Sequence, residues 1–187
     1  MNYDIQKLTK DFRSGKKLKY LFFWGNRKSH TTGIDQSCLS QWYSINFKIN
    51  GIKYYSAEHY MMAEKAKLFK DDMNYEKILS SKSPGQAKQY GREVRGFDEK
   101  IWKENRFKIV INGNVAKFSQ NIDLKQFLLA TKNRILVEAS PVDTIWGIGL
   151  SKESEKCNNP LEWRGLNLLG FALMEVREKM KNEPKLL

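Results

Sequence analysis

YSAEHYMMAEKAKLF, residues 55–69, opens on a helix-start signal and then runs without Gly or Pro. The Ser56 hydroxyl can accept from an orphan amide of a first turn, and Ala57–Phe69 consists mostly of good helix formers. Residues four, seven and eleven apart share a helix face, which sets Glu58, Met62, Lys65 and Phe69 on one stripe. Two charges therefore sit among side chains that want burial. A buried charge without a partner is costly, so such groups are either tied into a structural ion pair or kept for chemistry. At helical rise Glu58 and Lys65 lie about 10 Å apart along the axis, so each needs something else to meet, such as a substrate.

Immediately upstream, INFKINGIKYY alternates around Asn50-Gly51, the favoured two-residue hairpin turn. The hairpin feeds straight into the Ser56-capped helix and can hold a site rigidly. Further back, Lys19–Trp24 (KYLFFW) suits a short buried strand. Gly25–Ser40 reads as a polar loop of about 16 residues, long enough to suggest a functional one. Its Arg27, Lys28 and His30 can meet phosphates, or can simply be solvated. Residues 1–17 read as a loosely held basic leader.

Downstream, Asp71–Ser80 reads as a second helix, and Ser83-Pro84 opens a third that runs to about Glu93. Asp98 caps a helix from Glu99 to about Ile111, which Gly113 is expected to break or bend. Asp123 caps another, LKQFLLATK. Ile135–Ala139 (ILVEA) is a strand, and Ser140–Gly149 (SPVDTIWGIG) is turn-rich. Ser151–Asn159 looks polar and mobile. Asn167 caps a terminal amphipathic helix whose Leu169, Leu173, Val176 and Met180 form a packing face. The resulting expectation is an α+β fold, mostly helical, with a small β-hairpin or sheet packed on a helical bundle. It forms one domain, 18–182, between the leader and a tail at 183–187.

Composition narrows the function. A chain of 187 residues with 41% hydrophobic and 29% charged residues is an ordinary globular chain. A net charge of +12 is not ordinary, and it attracts phosphate-bearing partners. The same charge can also be a solubilising lysine surface. Cys38 and Cys157 have no CxxC partner, which favours an intracellular, cytoplasmic home over a disulfide framework. The N-terminus lacks a signal-peptide core, and no run approaches the ~18 apolar residues of a membrane span. With only His30 and His59, a histidine-rich metal site is not expected, and no cofactor is called for.

The GxGxxG, Walker, HExxH and GxSxG patterns are missing from the sequence, and with them the parts of the common nucleotide, zinc and serine-hydrolase mechanisms. What remains is carboxylates, a lysine and tryptophans. A carboxylate can stabilise an oxocarbenium-like centre or activate water. A desolvated lysine can attack an anomeric carbon, and an aromatic face can stack a base. These parts suit glycosidic-bond chemistry without requiring it.

YSAEHYMMAEKAKLF, GREVRGF-x4-W, KF-x-QN, LVEASPVDTIWGIGL and NLLGFALMEVRE occur in this order between about Tyr20 and Met180. The set resembles the NADAR family, also called the YbiA-like or riboflavin-intermediate N-glycosidase family. The resemblance implies a mostly helical α+β fold and metal-free cleavage of N-glycosidic bonds. Implied substrates are ADP-ribosylated guanine in nucleic acid, with a cognate DNA ADP-ribosyltransferase as possible partner, or small phosphorylated N-ribosides of riboflavin synthesis. The basic charge leans toward the former.

By the same resemblance, Glu58, Lys65 and Asp143 are the catalytic candidates, and Trp102 and Trp146 hold a base or ring. Arg92, Gly25, Arg27, His30 and Gly147 complete the substrate-binding set. The alternative readings are Trp102 as core, Asp143 as a turn cap and Glu58 as a partner of the helix dipole. Two routes fit: a carboxylate-activated water, or Lys65 attack with a Schiff-base intermediate. A non-catalytic ADP-ribose or nucleic-acid binding module is the rival reading.

Overall fold

The computed structural model describes residues 3–26 and 33–182. Along them run α1 (Ile5–Arg13), β1 (Tyr20–Phe23), β2 (Phe47–Ile49), β3 (Ile52–Tyr54) and α2 (Ala57–Leu68). Then come α3 (Asp72–Ser80), α4 (Pro84–Arg92), α5 (Glu99–Ser119), α6 (Ile122–Ala130), β4 (Ile135–Glu138) and α7 (Leu168–Lys181). The fold is α+β and mostly helical, as the sequence implies. Its residues divide into two units, 41–122 and the pair of segments before 41 and from 123 onward.

In the unit 41–122, α2 is the centre. Helices α3, α4 and α5 pack on it, and β3 touches it. Ser56 caps it as expected, its Oγ accepting from the His59 amide at 3.3 Å. Eight of its twelve residues are buried, Ala57 to Ala63 without a break. A helix surrounded on most sides needs close neighbours rather than a single apolar stripe. Two glycines supply the room: a Cβ on Gly91 of α4 would strike Met62, and one on Gly113 of α5 would lie 2.5 Å from the Tyr60 ring.

The hairpin forms at its predicted turn. Phe47 pairs with Tyr54, Lys48 with Lys53 and Ile49 with Ile52, while Asn50 and Gly51 take φ of 51° and 79°, as the tight primed turn requires. Phe47, Tyr54 and Tyr60 then close an aromatic cluster at centroid distances of 5.8, 6.4 and 5.1 Å. Each such side chain, fully buried, stabilises by roughly 1.5–3 kcal/mol.

The other unit is organised on β1 and β4, which pair in parallel from Tyr20↔Ile135 to Phe23↔Glu138. Helix α7 packs on β4. Val137, Ala139, Ile148, Leu150 and Cys157 form its core, with Tyr20, Phe22 and Trp163 against them.

Several expectations need correction. The basic leader contains α1, capped by Asp4, with Leu8 buried. Helix α5 passes through Gly113 to Ser119, because that glycine serves close packing against Tyr60 and not termination. Asp123 lies inside the first turn of α6 instead of capping it. The polar segment 151–159 holds a 3-10 turn, Glu155–Asn158, with Cys157 buried and its carbonyl accepting from the Trp163 indole at 2.8 Å. A second 3-10 turn, Gln36–Leu39, buries Ser37, Cys38 and Leu39 in the expected loop.

Asn167 stands at the start of α7 but its side chain makes no cap. Its Oδ1 accepts from the Glu138 amide at 3.0 Å and its Nδ2 donates to Leu136 O at 2.9 Å. The asparagine thus ties α7 to β4.

Candidate active site

Lys65 projects from α2 toward α4 and the segment that follows it. Its Nζ donates to Gly91 O at 2.7 Å and lies 4.2 Å from the Phe97 ring centroid and 5.8 Å from that of Trp102. A carbonyl and two aromatic surfaces cover part of the ammonium of this half-buried lysine. Burial penalises the charged form and pulls the Lys65 pKa below its usual 10.5. The direction of that shift favours the neutral amine, the form in which a lysine acts as a nucleophile.

Gly91 can present its carbonyl because the absence of a side chain lets α4 approach Met62, a neighbour of Lys65 on the same stripe. Phe97 is steadied by an edge contact with Phe69, centroids 5.4 Å apart. Its backbone follows a tightly tied segment. Asp71 Oδ2 accepts from the Arg95 amide at 2.8 Å, and Oδ1 from the Arg95 guanidinium at 2.9 Å. The same carboxylate accepts from Asn74 Nδ2 at 2.7 Å, and that amide also donates to Glu93 O at 3.0 Å. The Arg95 guanidinium is the first cause that holds the Asp71 carboxyl well below the usual carboxylate range, with the Arg95 amide and Asn74 adding to it.

Asp71, Arg95 and Phe97 are not among the site residues that the sequence singles out, although Arg95 and Phe97 both belong to GREVRGF and Asp71 stands at a helix start.

Glu58 is 3% exposed in the first turn of α2, where a carboxylate is favoured by the helix dipole. Its amide donates to Gln41 O at 3.0 Å. Next to it, buried His59 meets Ser56 Oγ at 2.7 Å through Nδ1 and Ser81 O at 3.3 Å through Nε2. Ser81 O can only accept, so Nε2 carries the proton and Nδ1 accepts from the serine. Burial pushes the His59 pKa down, against the opposing effect of the Ser81 bond.

The Asp143–Gly147 loop belongs to the other unit. Asp143 Oδ1 accepts from the amides of Ile145 at 2.8 Å and Trp146 at 2.7 Å, the turn-capping role that Asp commonly takes. A strap from residues 166–169 fixes the loop: the amides of Leu166, Asn167, Leu168 and Leu169 donate to the carbonyls of Thr144, Gly147, Ile145 and Trp146. Gly147 is buried where a Cβ would lie 2.9 Å from Glu138 O. Trp146 stays partly exposed.

The predicted residues therefore fall into two sets. Lys65 and Trp102 meet in one unit, with Arg92 beside the carbonyl that Lys65 uses and Glu58 seven residues back on the helix. Asp143, Trp146 and Gly147 form a rigid turn in the other. Trp102 is 9% exposed and serves as a wall beside Lys65, while Arg92 is exposed at the end of α4. Gly25 is exposed, with φ of 77°. Arg27 and His30 lie outside the described residues. Among the described residues, no group of three or more His, Cys, Asp or Glu could hold a metal ion, and no helix is long and apolar enough to cross a membrane.

The family model for the NADAR domain matches residues 22–181. The chain belongs to the NADAR family. This NADAR chain is 46% identical over 166 residues to N-glycosidase R617 of Acanthamoeba polyphaga mimivirus, covering 86% of the chain and 96% of that protein. It is 30% identical over 154 residues to N-glycosidase YbiA of Escherichia coli, covering 82% and 88%. The NMR structure of the E. coli protein YbiA matches with a TM-score of 0.64 at 27% identity, over 88% of each chain.

Proposed function

We propose that this NADAR chain is an N-glycosidase that removes ADP-ribose from ADP-ribosylated guanine in nucleic acid, with Lys65 as nucleophile. The name N-glycosidase carried by its relatives in mimivirus and E. coli supports the activity class. The observation that carries the reading is the Lys65 ammonium, enclosed by Phe97, Trp102 and the Gly91 carbonyl with its pKa lowered.

In the proposed reaction the neutral amine attacks the anomeric carbon of the ribose. The carbon–nitrogen bond to the base breaks, and the base nitrogen keeps the electron pair and takes a proton. The ribosyl-lysine opens to a Schiff base as its ring oxygen is protonated. Water then adds to the imine carbon and releases the sugar and the free lysine. Glu58, on the same helix as Lys65, is the carboxylate proposed to move these protons. Arg92, exposed at the end of α4, is the proposed contact to the substrate phosphates. The chain's +12 charge suits a polyanionic substrate.

Incubation with an oligonucleotide carrying ADP-ribosylated guanine should release ADP-ribose, detected by mass. Borohydride added during turnover should leave a stable protein–sugar adduct in wild type and none in Lys65→Arg. A Glu58→Gln protein that turned over every substrate at the wild-type rate would favour a binding module instead. Turnover confined to phosphorylated ribosylaminopyrimidines would replace the nucleic-acid substrate with a small N-riboside.

A further inference from the structure

A concavity lies in the unit 41–122, on the side of α2 that presents His59. It measures about 670 Å³ and lies between the residues flanking the hairpin, His59 of α2, the end of α3 and the start of α4, within the size range of small-molecule sites. Tyr55 forms part of its wall and is 47% exposed, yet it is held in place. Its carbonyl accepts from the Ile45 amide at 3.1 Å, and its ring makes an edge contact with buried His59, centroids 6.0 Å apart. Ile45, Leu79 and Pro84 supply apolar surface beside it.

Positive charge adjoins this cavity. Its lining includes Lys82 and no carboxylate. Lys53 sets its ammonium 5.0 Å from the Tyr55 ring centroid, and Lys53 is directly opposite Lys48 in the hairpin register. Like charges facing each other across a strand pair destabilise it, and a bound anion would relieve that repulsion. The positive end of the α4 dipole enters the same rim at Pro84. An anchored aromatic ring with surrounding cations is the physical design of a base-stacking site with phosphate neighbours.

We propose that this cavity takes one nucleotide of single-stranded nucleic acid, its base stacked on Tyr55 and its flanking phosphates against Lys53 and Lys82. The inference rests on the nucleic-acid reading of the substrate only for its biological use, since binding here requires no ADP-ribose and no turnover.

The test is fluorescence anisotropy of the full chain with a labelled, unmodified strand of roughly 12 nucleotides, long enough to fill a typical single-strand site. Tyr55→Ala should weaken binding by about 5- to 150-fold, the range of one base–aromatic stack, while Tyr55→Phe should stay within about twofold. Lys53→Ala and Lys82→Ala, on exposed side chains, should each reduce the slope of log affinity against log salt by about 0.7. Tyr55→Ala binding as tightly as wild type, or lysine variants with an unchanged slope, would overturn the proposal. A free mononucleotide bound as tightly as the strand would overturn it too. Because the strand is unmodified, each of these failures leaves the glycosidase reading standing.

Discussion

Phe97 covers the ammonium of Lys65 at 4.2 Å from its ring centroid, although Phe97 itself is 45% exposed. A partly solvated ring therefore supplies part of the cover over the half-buried candidate nucleophile. The rate of a lysine nucleophile follows its neutral fraction, so kcat should rise with pH up to the Lys65 pKa, which burial sets below 10.5. Phe97→Ala admits water and should move that rising limb back toward 10.5. Each unit of movement removes about tenfold of the neutral amine at neutral pH. A pH profile of kcat checks this. Movement of the limb to lower pH would mean that lost cation–π attraction outweighs hydration.

Asp71 acts at a distance by fixing Arg95, two residues before Phe97. Releasing that segment should lower kcat by up to about a hundredfold, as small misplacements of a site can, with KM changing much less. Asp71→Asn should also destabilise the chain above the ordinary carboxylate pKa of 3.8. The sign follows from linkage: the folded-state pKa is depressed, so the stabilisation is present above the unfolded value and fades as pH falls through the folded one. The stability gap between wild type and variant should therefore narrow below pH 3.8. Steady-state kinetics and urea unfolding across pH measure the two effects.

Gly113→Ala tests whether packing outweighs propensity in α5. Alanine is the better helix former by about 1 kcal/mol, yet its Cβ would lie 2.5 Å from the Tyr60 ring, which is locked among Phe47 and Tyr54. Overpacking of this kind costs about 1–3 kcal/mol. The variant should lower the urea midpoint, and adding Tyr60→Leu should recover part of the loss.

Asn167→Ala removes two buried bonds to β4 and leaves the Glu138 amide and the Leu136 carbonyl without those partners. At about 1–3 kcal/mol for each unmet group, a loss of about 2–6 kcal/mol is expected. Asn167→Gly suits the positive φ of 52° but restores neither bond, so it should recover only a small part. Chemical denaturation of the three proteins decides it.

The sequence by itself determined the local elements. Ser56, Ser83-Pro84, Asp98 and Asn50-Gly51 each mark a start or turn through their own short-range chemistry, and each was legible. The charged stripe on α2 was legible as well, because helical spacing alone places Glu58 and Lys65 on one face. Tertiary structure decided the rest. Gly113 reads as a breaker until Tyr60 stands against it, and Asn167 reads as a cap until β4 lies within reach. The pairing of Tyr20–Phe23 with Ile135–Glu138 joins segments more than a hundred residues apart, which no local pattern encodes. The surroundings of Lys65 are of the same kind. Gly91, Phe97 and Trp102 all belong to the GREVRGF-x4-W stretch, but it begins 26 residues beyond Lys65, and only when stretch and helix converge do the carbonyl and the rings cover the lysine.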